Sequence, residues 1–211
     1  MPEPRGRLIT IEGLDGSGKT TLADGLEAAL ADRGRPVLRL REPGGVALSE
    51  RIRDLVADPA LAPDPRTEAL LFAAARAQLC SELLLPALRD GRWVLMDRFV
   101  DSSLAYQGGG RELGLEDVAR INELATRGCR PDRTLLLRVD RTTGRRRLEG
   151  RGEERDRMER EQDAFFARVE SAYDALATGE PERFRTLDAH KDAPAVLRDA
   201  LDALADILQA G

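Results

Sequence analysis

The sequence predicts an α/β fold, a doubly wound parallel sheet of about five strands with helices on both faces. Two observations carry that expectation. Short β-type apolar runs alternate with longer helical patterns along the 211 residues, and a glycine-rich loop joins the first run to the first helix. Such alternation is the pattern of a parallel sheet covered on both sides. No internal repeat or low-complexity linker divides the chain, and its length suits one domain of about 100 to 200 residues, so a single domain over 1–211 is expected.

The elements follow in order. RLITIE at 7–12 is the first strand, and the loop after it opens a helix over 19–33, closed by Gly34 as a left-handed cap. PVLRL at 36–40 is the second strand, with a helix over 46–57 behind it. Pro63, Asp64 and Pro65 mark a turn before the longest helix, 66–89, which leads to the third strand, WVLMD at 93–97. GGGR at 108–111 reads as a flexible loop, followed by a helix over 115–127 and a fourth strand, TLLLRV at 134–139. Helices over 141–150 and 160–177, a fifth strand FRTL at 184–187 and a helix over 194–209 complete the chain.

Composition removes several function classes. A hydrophobic content of 42% suffices for a full core, and a net charge of -5 argues against a general nucleic-acid or membrane-surface binder. No stretch approaches about 18 continuous apolar residues, so no spanning or targeting segment is expected. Cys80 and Cys129 lie far apart and form no CxxC pair, which points to reduced thiols in the cytoplasm. His190 is the only histidine, leaving no basis for a multi-histidine metal site, and it reads as a loop residue. Lys19 and Lys191 are the only lysines among 33 basic residues.

One of those lysines sits in the most specific motif. Gly13, Gly18, Lys19 and Thr20 match G-x-x-x-x-G-K-[ST], after a strand and at the start of a helix, where a phosphate-binding loop must lie. Its glycines admit backbone N–H groups to phosphate oxygens, and the helix N-terminus adds favourable partial charge. Lys19 would reach the β and γ phosphates and Thr20 would hold Mg²⁺. Gly13, Leu14, Asp15, Gly16, Ser17, Gly18, Lys19, Thr20 and Thr21 are therefore the candidate ATP contacts, and the fold is of the P-loop NTPase type. A GTPase would need N-K-x-D, and AHKD at 189–192 lacks the asparagine. The third strand instead ends in Asp97-Arg98, a carboxylate near the metal followed by a cation aimed at a second anion. That arrangement suits transfer to a phosphate-bearing acceptor.

EGLDGSGKTT at 12–21, REPGG at 41–45, LLFAAARAQL at 70–79, DRFVDSSLAYQGGGR at 97–111, RPD at 130–132 and RGEERDRME at 151–159 follow one another along nearly the whole chain. In these motifs, taken in this order, the chain resembles the thymidylate kinases, in their bacterial form. The resemblance implies transfer of the γ-phosphoryl group of MgATP to dTMP. The acceptor's second pKa lies near 6, so its oxygen needs no strong base at neutral pH, and catalysis reduces to neutralising and aligning two anions.

By resemblance, Arg98 holds the acceptor phosphate, Arg41 assists, and the Glu42-Pro43 turn shapes that pocket. Phe72 and Arg76 share a helix face and would stack on thymine and bind its carbonyl, although periodicity alone assigns Phe72 to the core. Leu79, Leu83 and Leu84 are core or subunit contacts. Ser102, Ser103, Tyr106 and Gln107 form a second acceptor cluster, with Ser103 at the base and Tyr106 closing the 2′ side of the sugar. Asp15 points across the loop towards the acceptor and the Mg²⁺ side, joining Thr20 and Asp97 as candidate metal contacts. Glu12 is either metal-linked or structural. Because Gly16 and Ser17 offer no cation inside the loop, a mobile lid around 144–160 is expected to supply it through Arg151, Arg155 or Arg157. Arg147 would lie against adenine, and the family implies a homodimer.

Overall fold

The computed structural model describes residues 6–150 and 157–209. Strands β1 (Leu8–Glu12), β2 (Val37–Arg41), β3 (Trp93–Asp97), β4 (Arg133–Arg138) and β5 (Phe184–Asp188) form one sheet in the order β2-β3-β1-β4-β5. Every neighbouring pair is parallel, as the alternating pattern predicts. The order reverses at β1, which lies between β3 and β4, and in open α/β sheets the crevice beyond such a switch point receives ligands. Registry sets Asp97 level with both Ile11 and Arg41, so the ends of β1, β2 and β3 share one edge.

Successive strand side chains go to opposite faces, and both faces here are apolar. Ile9, Ile11 and Leu95 enter a core with Leu22 and Leu26 of α1 (Lys19–Asp32) and Val196 and Ala200 of α9 (Ala193–Ala203). Leu8, Val94 and Met96 enter the opposite core with Leu79, Leu84 and Leu88. The remaining helices are α2 (Ala47–Ala57), α3 (Pro65–Leu79), α4 (Leu85–Arg89), α5 (Val100–Ser103), α6 (Leu115–Thr126), α7 (Arg141–Glu149), α8 (Asp163–Gly179) and α10 (Ala205–Gln209). Gly34, at φ 74°, follows α1 in the left-handed conformation expected of it.

Four expectations need correction. The long helix 66–89 is not one regular α-helix, because a π turn at Cys80–Leu84 separates α3 from α4 and the Leu85 N–H donates to Cys80 O. Pro86 explains the irregularity: it lacks an N–H and its ring crowds the carbonyl four residues earlier, so the ladder must shift there. The last helix breaks at Leu204 into α9 and α10. The helix expected from 160 starts at Asp163.

The fourth correction concerns GGGR, which is no loose loop. Leu104–Gly110 is a π-helical turn running on from α5 and packed against α8. A Cβ on Gly109 would meet Ala172 Cβ at 2.6 Å, and one on Gly110 would meet Phe165 Cε2 at 2.6 Å. The missing Cβ is used for close approach, whereas the sequence reading took it for backbone freedom.

The helical run Pro65–Arg89 is long and apolar enough, at hydropathy 1.3, to pass for a membrane span by composition. It contains the buried Glu68 and Arg76, and its α3 part packs between α2 and α6, so it serves as a core helix here. Leu79 and Leu84 lie in the core and Leu83 packs against it.

Candidate functional site

The glycine-rich loop follows β1 and turns into α1 at the switch point. At Gly16, φ is 77° and a Cβ would lie 2.2 Å from the Gly144 carbonyl oxygen, so loop and α7 meet backbone to backbone. Among the described residues no side chain caps α1, whose first-turn N–H groups can meet an anion. Among the same residues Ser17 Oγ is buried without a hydrogen-bond partner, a polar atom whose desolvation a phosphate oxygen would offset. Lys19 Nζ donates to the carbonyls of Gly13 (3.1 Å) and Leu14 (3.0 Å), folded back over the loop. Burial, and then the nearby Arg98 charge, lower its pKa below the ordinary lysine value.

On the acceptor side the central group is Arg98, just past β3. It adopts φ 66°, unusual for a side-chain-bearing residue. Its Nη2 lies 2.7 Å from Asp15 Oδ1, its Nη1 donates to Ser102 Oγ at 3.0 Å, and its guanidinium sits 5.1 Å over the Tyr106 ring. Burial alone would raise the Asp15 carboxyl, but Arg98 and then Lys19, 3.7 Å away, outweigh it and hold Asp15 down to about 2. The aspartate in the loop is thus a counter-ion between two cations.

One cavity opens beside this pair. Asp15, Glu42, Pro43, Phe72 and Arg76 line it, as do Arg98, Ser102, Ser103, Tyr106 and Gln107, so it gathers every acceptor-side candidate except Arg41. Arg41 is turned away, paired with Glu50 at 2.8 Å and donating to Pro43 O at 3.1 Å. The Glu42-Pro43 peptide is cis. Phe72 lines the cavity and also packs on Ile52, Val56 and Ala75, so its core and binding-wall readings coexist.

Arg76 is buried and held by four hydrogen bonds and an ion pair. Glu42 Oε2 lies 2.7 Å from Nε and 2.6 Å from Nη2, Nη1 donates to Ser103 Oγ at 2.9 Å and to Asn122 Oδ1, and Nη2 donates to Phe99 O at 3.0 Å. Glu42 Oε1 has no hydrogen-bond partner among the described residues, and burial raises this carboxyl's pKa against the pull of Arg76.

The structure adds residues that sequence reasoning did not single out. Arg53, Val56, Ala57 and Met158 complete the cavity wall. Glu68 is fully buried, accepting from Gln107 Nε2 at 2.9 Å and Arg111 Nε at 3.2 Å, with Arg157 Nη2 2.6 Å away. An acid in the first turn of a helix ordinarily signals nothing beyond helix polarity, so no sequence cue marked Glu68. Arg157, one of the three arginines from which a lid charge is expected, pairs with this carboxylate, and its Nε donates to Val56 O at 2.9 Å. The other two lid candidates, Arg151 and Arg155, lie outside the described residues.

Glu12 is buried at the end of β1 with both oxygens taken. Oε1 accepts from the Phe99 N–H at 2.8 Å, and Oε2 accepts from Ser102 Oγ at 2.6 Å and Tyr173 Oη at 2.9 Å. Burial and the neighbouring Asp101 push its pKa up, while the hydrogen bonds pull against them.

Two further cavities flank the loop. Leu14, Asp15, Gly144 and Leu148 line one, between loop and α7, so Asp15 borders both it and the cavity beside Arg98. Gly16, Ser17, Gly18 and Thr21 line the other with Arg147 and Lys191. Arg147 Nη2 donates to Ala189 O at 3.0 Å, which fixes the guanidinium beside the loop. Thr20 is exposed at the start of α1, and Asp97 closes β3. A hydroxyl and a carboxylate oxygen suit a hard cation that keeps waters and phosphates as its other ligands, whereas Asp15 is already taken by Arg98 and Lys19.

The chain matches the family model for thymidylate kinase over residues 11–200. It is 45% identical over 207 residues to the thymidylate kinase of Pelotomaculum thermopropionicum, covering 98% of this chain and 96% of the relative. It is 47% identical over 204 residues to that of Alkalilimnicola ehrlichii, covering 95% and 93%. Against the thymidylate kinase of Oenococcus oeni it is 47% identical over 210 residues, covering 97% and 98%.

Proposed function

Because this chain belongs to the thymidylate kinase family, we propose that it is the kinase that transfers the γ-phosphoryl group of ATP to dTMP, giving dTDP and ADP for dTTP synthesis. The observation that carries this reading is the Arg98–Asp15 pair at the boundary between the phosphate loop and the acceptor cavity, 2.7 Å apart. A cation so held, with a cavity beyond it, suits an acceptor that brings its own phosphate.

The donor phosphates lie on the backbone N–H groups of the loop and of the first turn of α1, with Ser17 Oγ and Lys19 Nζ turned to their oxygens. Thr20 and Asp97 would supply the protein oxygens for Mg²⁺, which would spread the negative charge of those phosphates. Arg98 takes the dTMP phosphate and turns its monoester oxygen towards the donor. That oxygen is already ionised at neutral pH, so alignment replaces proton abstraction. Phe72 covers one face of the base, Arg76 presents a fixed positive edge, and Tyr106 closes the sugar side. Residues 144–160 act as a lid that excludes water. With Arg157 committed to Glu68, the lid charge is assigned to Arg151 and Arg155. Arg147 and Lys191 flank the adenine.

A homodimer is proposed from the family and from leucines exposed on the packed helices α2, α3 and α6, namely Leu48, Leu55, Leu70 and Leu124. Cys80 and Cys129, neither in a disulfide, fit a reducing cytoplasm. The functional test is ADP formation from MgATP with dTMP, dUMP, dCMP, UMP, AMP and thymidine offered separately. A rate highest with dTMP and near background with thymidine is expected; a preference for another acceptor would overturn the pocket assignments.

A further inference from the structure

Arg98 holds a backbone conformation that few side-chain-bearing residues adopt, and such conformations persist only where the surroundings over-determine them. Two hydrogen bonds from β1 do so here. The Arg98 N–H donates to Ile11 O at 3.0 Å, and the next N–H, that of Phe99, donates to Glu12 Oε1 at 2.8 Å. The second oxygen of the same carboxyl group acts on the Arg98 side chain. Ser102 has one hydroxyl proton, and giving it to Glu12 Oε2 at 2.6 Å leaves a lone pair to accept from Arg98 Nη1 at 3.0 Å. Tyr173, reaching in from α8, donates to the same Glu12 oxygen at 2.9 Å and lies 3.0 Å from Ser102 Oγ. Glu12 and Tyr173 are buried and neither lines the acceptor cavity.

We propose that Glu12 and Tyr173 are positioning residues that act through Ser102 to aim Arg98 at the acceptor phosphate. The inference deepens the reading of this site as a dTMP kinase and rests on it. Glutamine at position 12 would place an amide donor against Ser102 and Tyr173, which turns the serine lone pair away from Arg98. Tyr173→Phe removes one donor to Glu12 and, with the same hydroxyl, its contact with Ser102 Oγ. A grip on phosphate is what both changes would loosen, so a nucleoside lacking phosphate separates this role from general support of the fold.

The experiment measures binding of dTMP, thymidine and ATP by calorimetry to the full chain and to Glu12→Gln, Tyr173→Phe and Glu12→Gln with Arg98→Ala. The expected result is dTMP affinity reduced about tenfold in Glu12→Gln, the scale of one hydrogen bond to a charged group, and less in Tyr173→Phe. Thymidine and ATP affinities stay as in the parent. In the Arg98→Ala background, Glu12→Gln adds no further loss, because the two changes act on one contact. Parental dTMP affinity in both single variants, or equal weakening of dTMP and thymidine, would overturn the proposal. If Glu12→Gln does not fold, Tyr173→Phe decides alone. Turnover of dTMP by the parent chain is measured separately, so failure of the kinase reading is not confused with failure of this one.

Discussion

Arg98 Nη2 lies 2.7 Å from Asp15 Oδ1, which joins the end of β3 to the middle of the phosphate loop across the switch point of the sheet. A carboxylate in an anion-binding loop would oppose phosphate if it stood alone. Here it is neutralised by Arg98 and Lys19 and sits on the border of the acceptor cavity. Asp15→Ala should therefore misplace Arg98 and lower kcat/KM for dTMP by about 100-fold, the scale of a small loss of alignment, with ATP affinity little changed. Steady-state kinetics alongside ATP binding check this, and equal loss on both sides would refute it.

Tyr106 is edge-on to Phe165 and Tyr173 and lies beneath the Arg98 guanidinium, so its ring is a fixed wall of the cavity. Tyr106→Ala should narrow the preference for dUMP over UMP by about tenfold or more, whereas Tyr106→Phe should keep it. Unchanged discrimination in the alanine variant would remove Tyr106 from sugar selection.

Glu68 is a buried carboxylate serving Gln107, Arg111 and Arg157. Glu68→Ala would take the buried carboxylate from Arg157 and leave Arg111 with its other partner, Glu161, a change worth about 3 kcal/mol, or a fall in Tm of about 10 °C for a chain of this size. Burial raises the Glu68 pKa, but its partners outweigh that and leave it lowered. Its contribution is therefore complete above the unfolded carboxyl pKa of about 4.3 and is lost as pH falls through the lower folded value. Thermal unfolding of Glu68→Gln against pH should show a shallower acid limb.

Gly110→Ala offers a test that turns on sign. In a flexible loop the substitution would stabilise by about 0.4–1 kcal/mol by restricting the unfolded chain. Here the new Cβ meets Phe165 at 2.6 Å, and overpacking should destabilise by about 1–3 kcal/mol. Urea unfolding distinguishes the two.

His190 bridges β5 and the start of α7, with Nδ1 2.8 Å from Asp188 and Nε2 2.9 Å from Asp140. Its hydrogen bonds to Asp188 first and Asp140 second raise its pKa above the usual 6.5. As the only imidazole it gives one clean proton resonance, and the midpoint should lie above 6.5 and fall in Asp188→Asn and Asp140→Asn. The link it makes is complete below the unfolded pKa and is lost as pH rises through the raised one.

The GGGR segment and Glu68 show where sequence reasoning stops. Both depend on what packs opposite: α8 against the glycines, and Arg111 and Arg157 against the carboxylate. Arg157 illustrates the same limit from the other side, since its motif pointed to the phosphoryl group and its partner in the fold is Glu68. A long arginine side chain reaches whichever anion the backbone sets within range, and local sequence does not encode that choice.

By itself the sequence determined the strand and helix alternation, the parallel sheet and the phosphate loop between β1 and α1, because hydrophobic period and glycine spacing act over neighbouring residues. Its ordered motifs also picked out candidate residues that the fold gathers around one cavity. Tertiary structure alone decided that Asp15 answers Arg98, that Arg76 is tied to Glu42, Ser103, Asn122 and Phe99, and that Glu12 and Tyr173 stand behind Ser102. Those pairings join residues far apart in the chain. Burial makes them binding, since a charge or hydroxyl removed from water must find its partner among whatever the fold brings near.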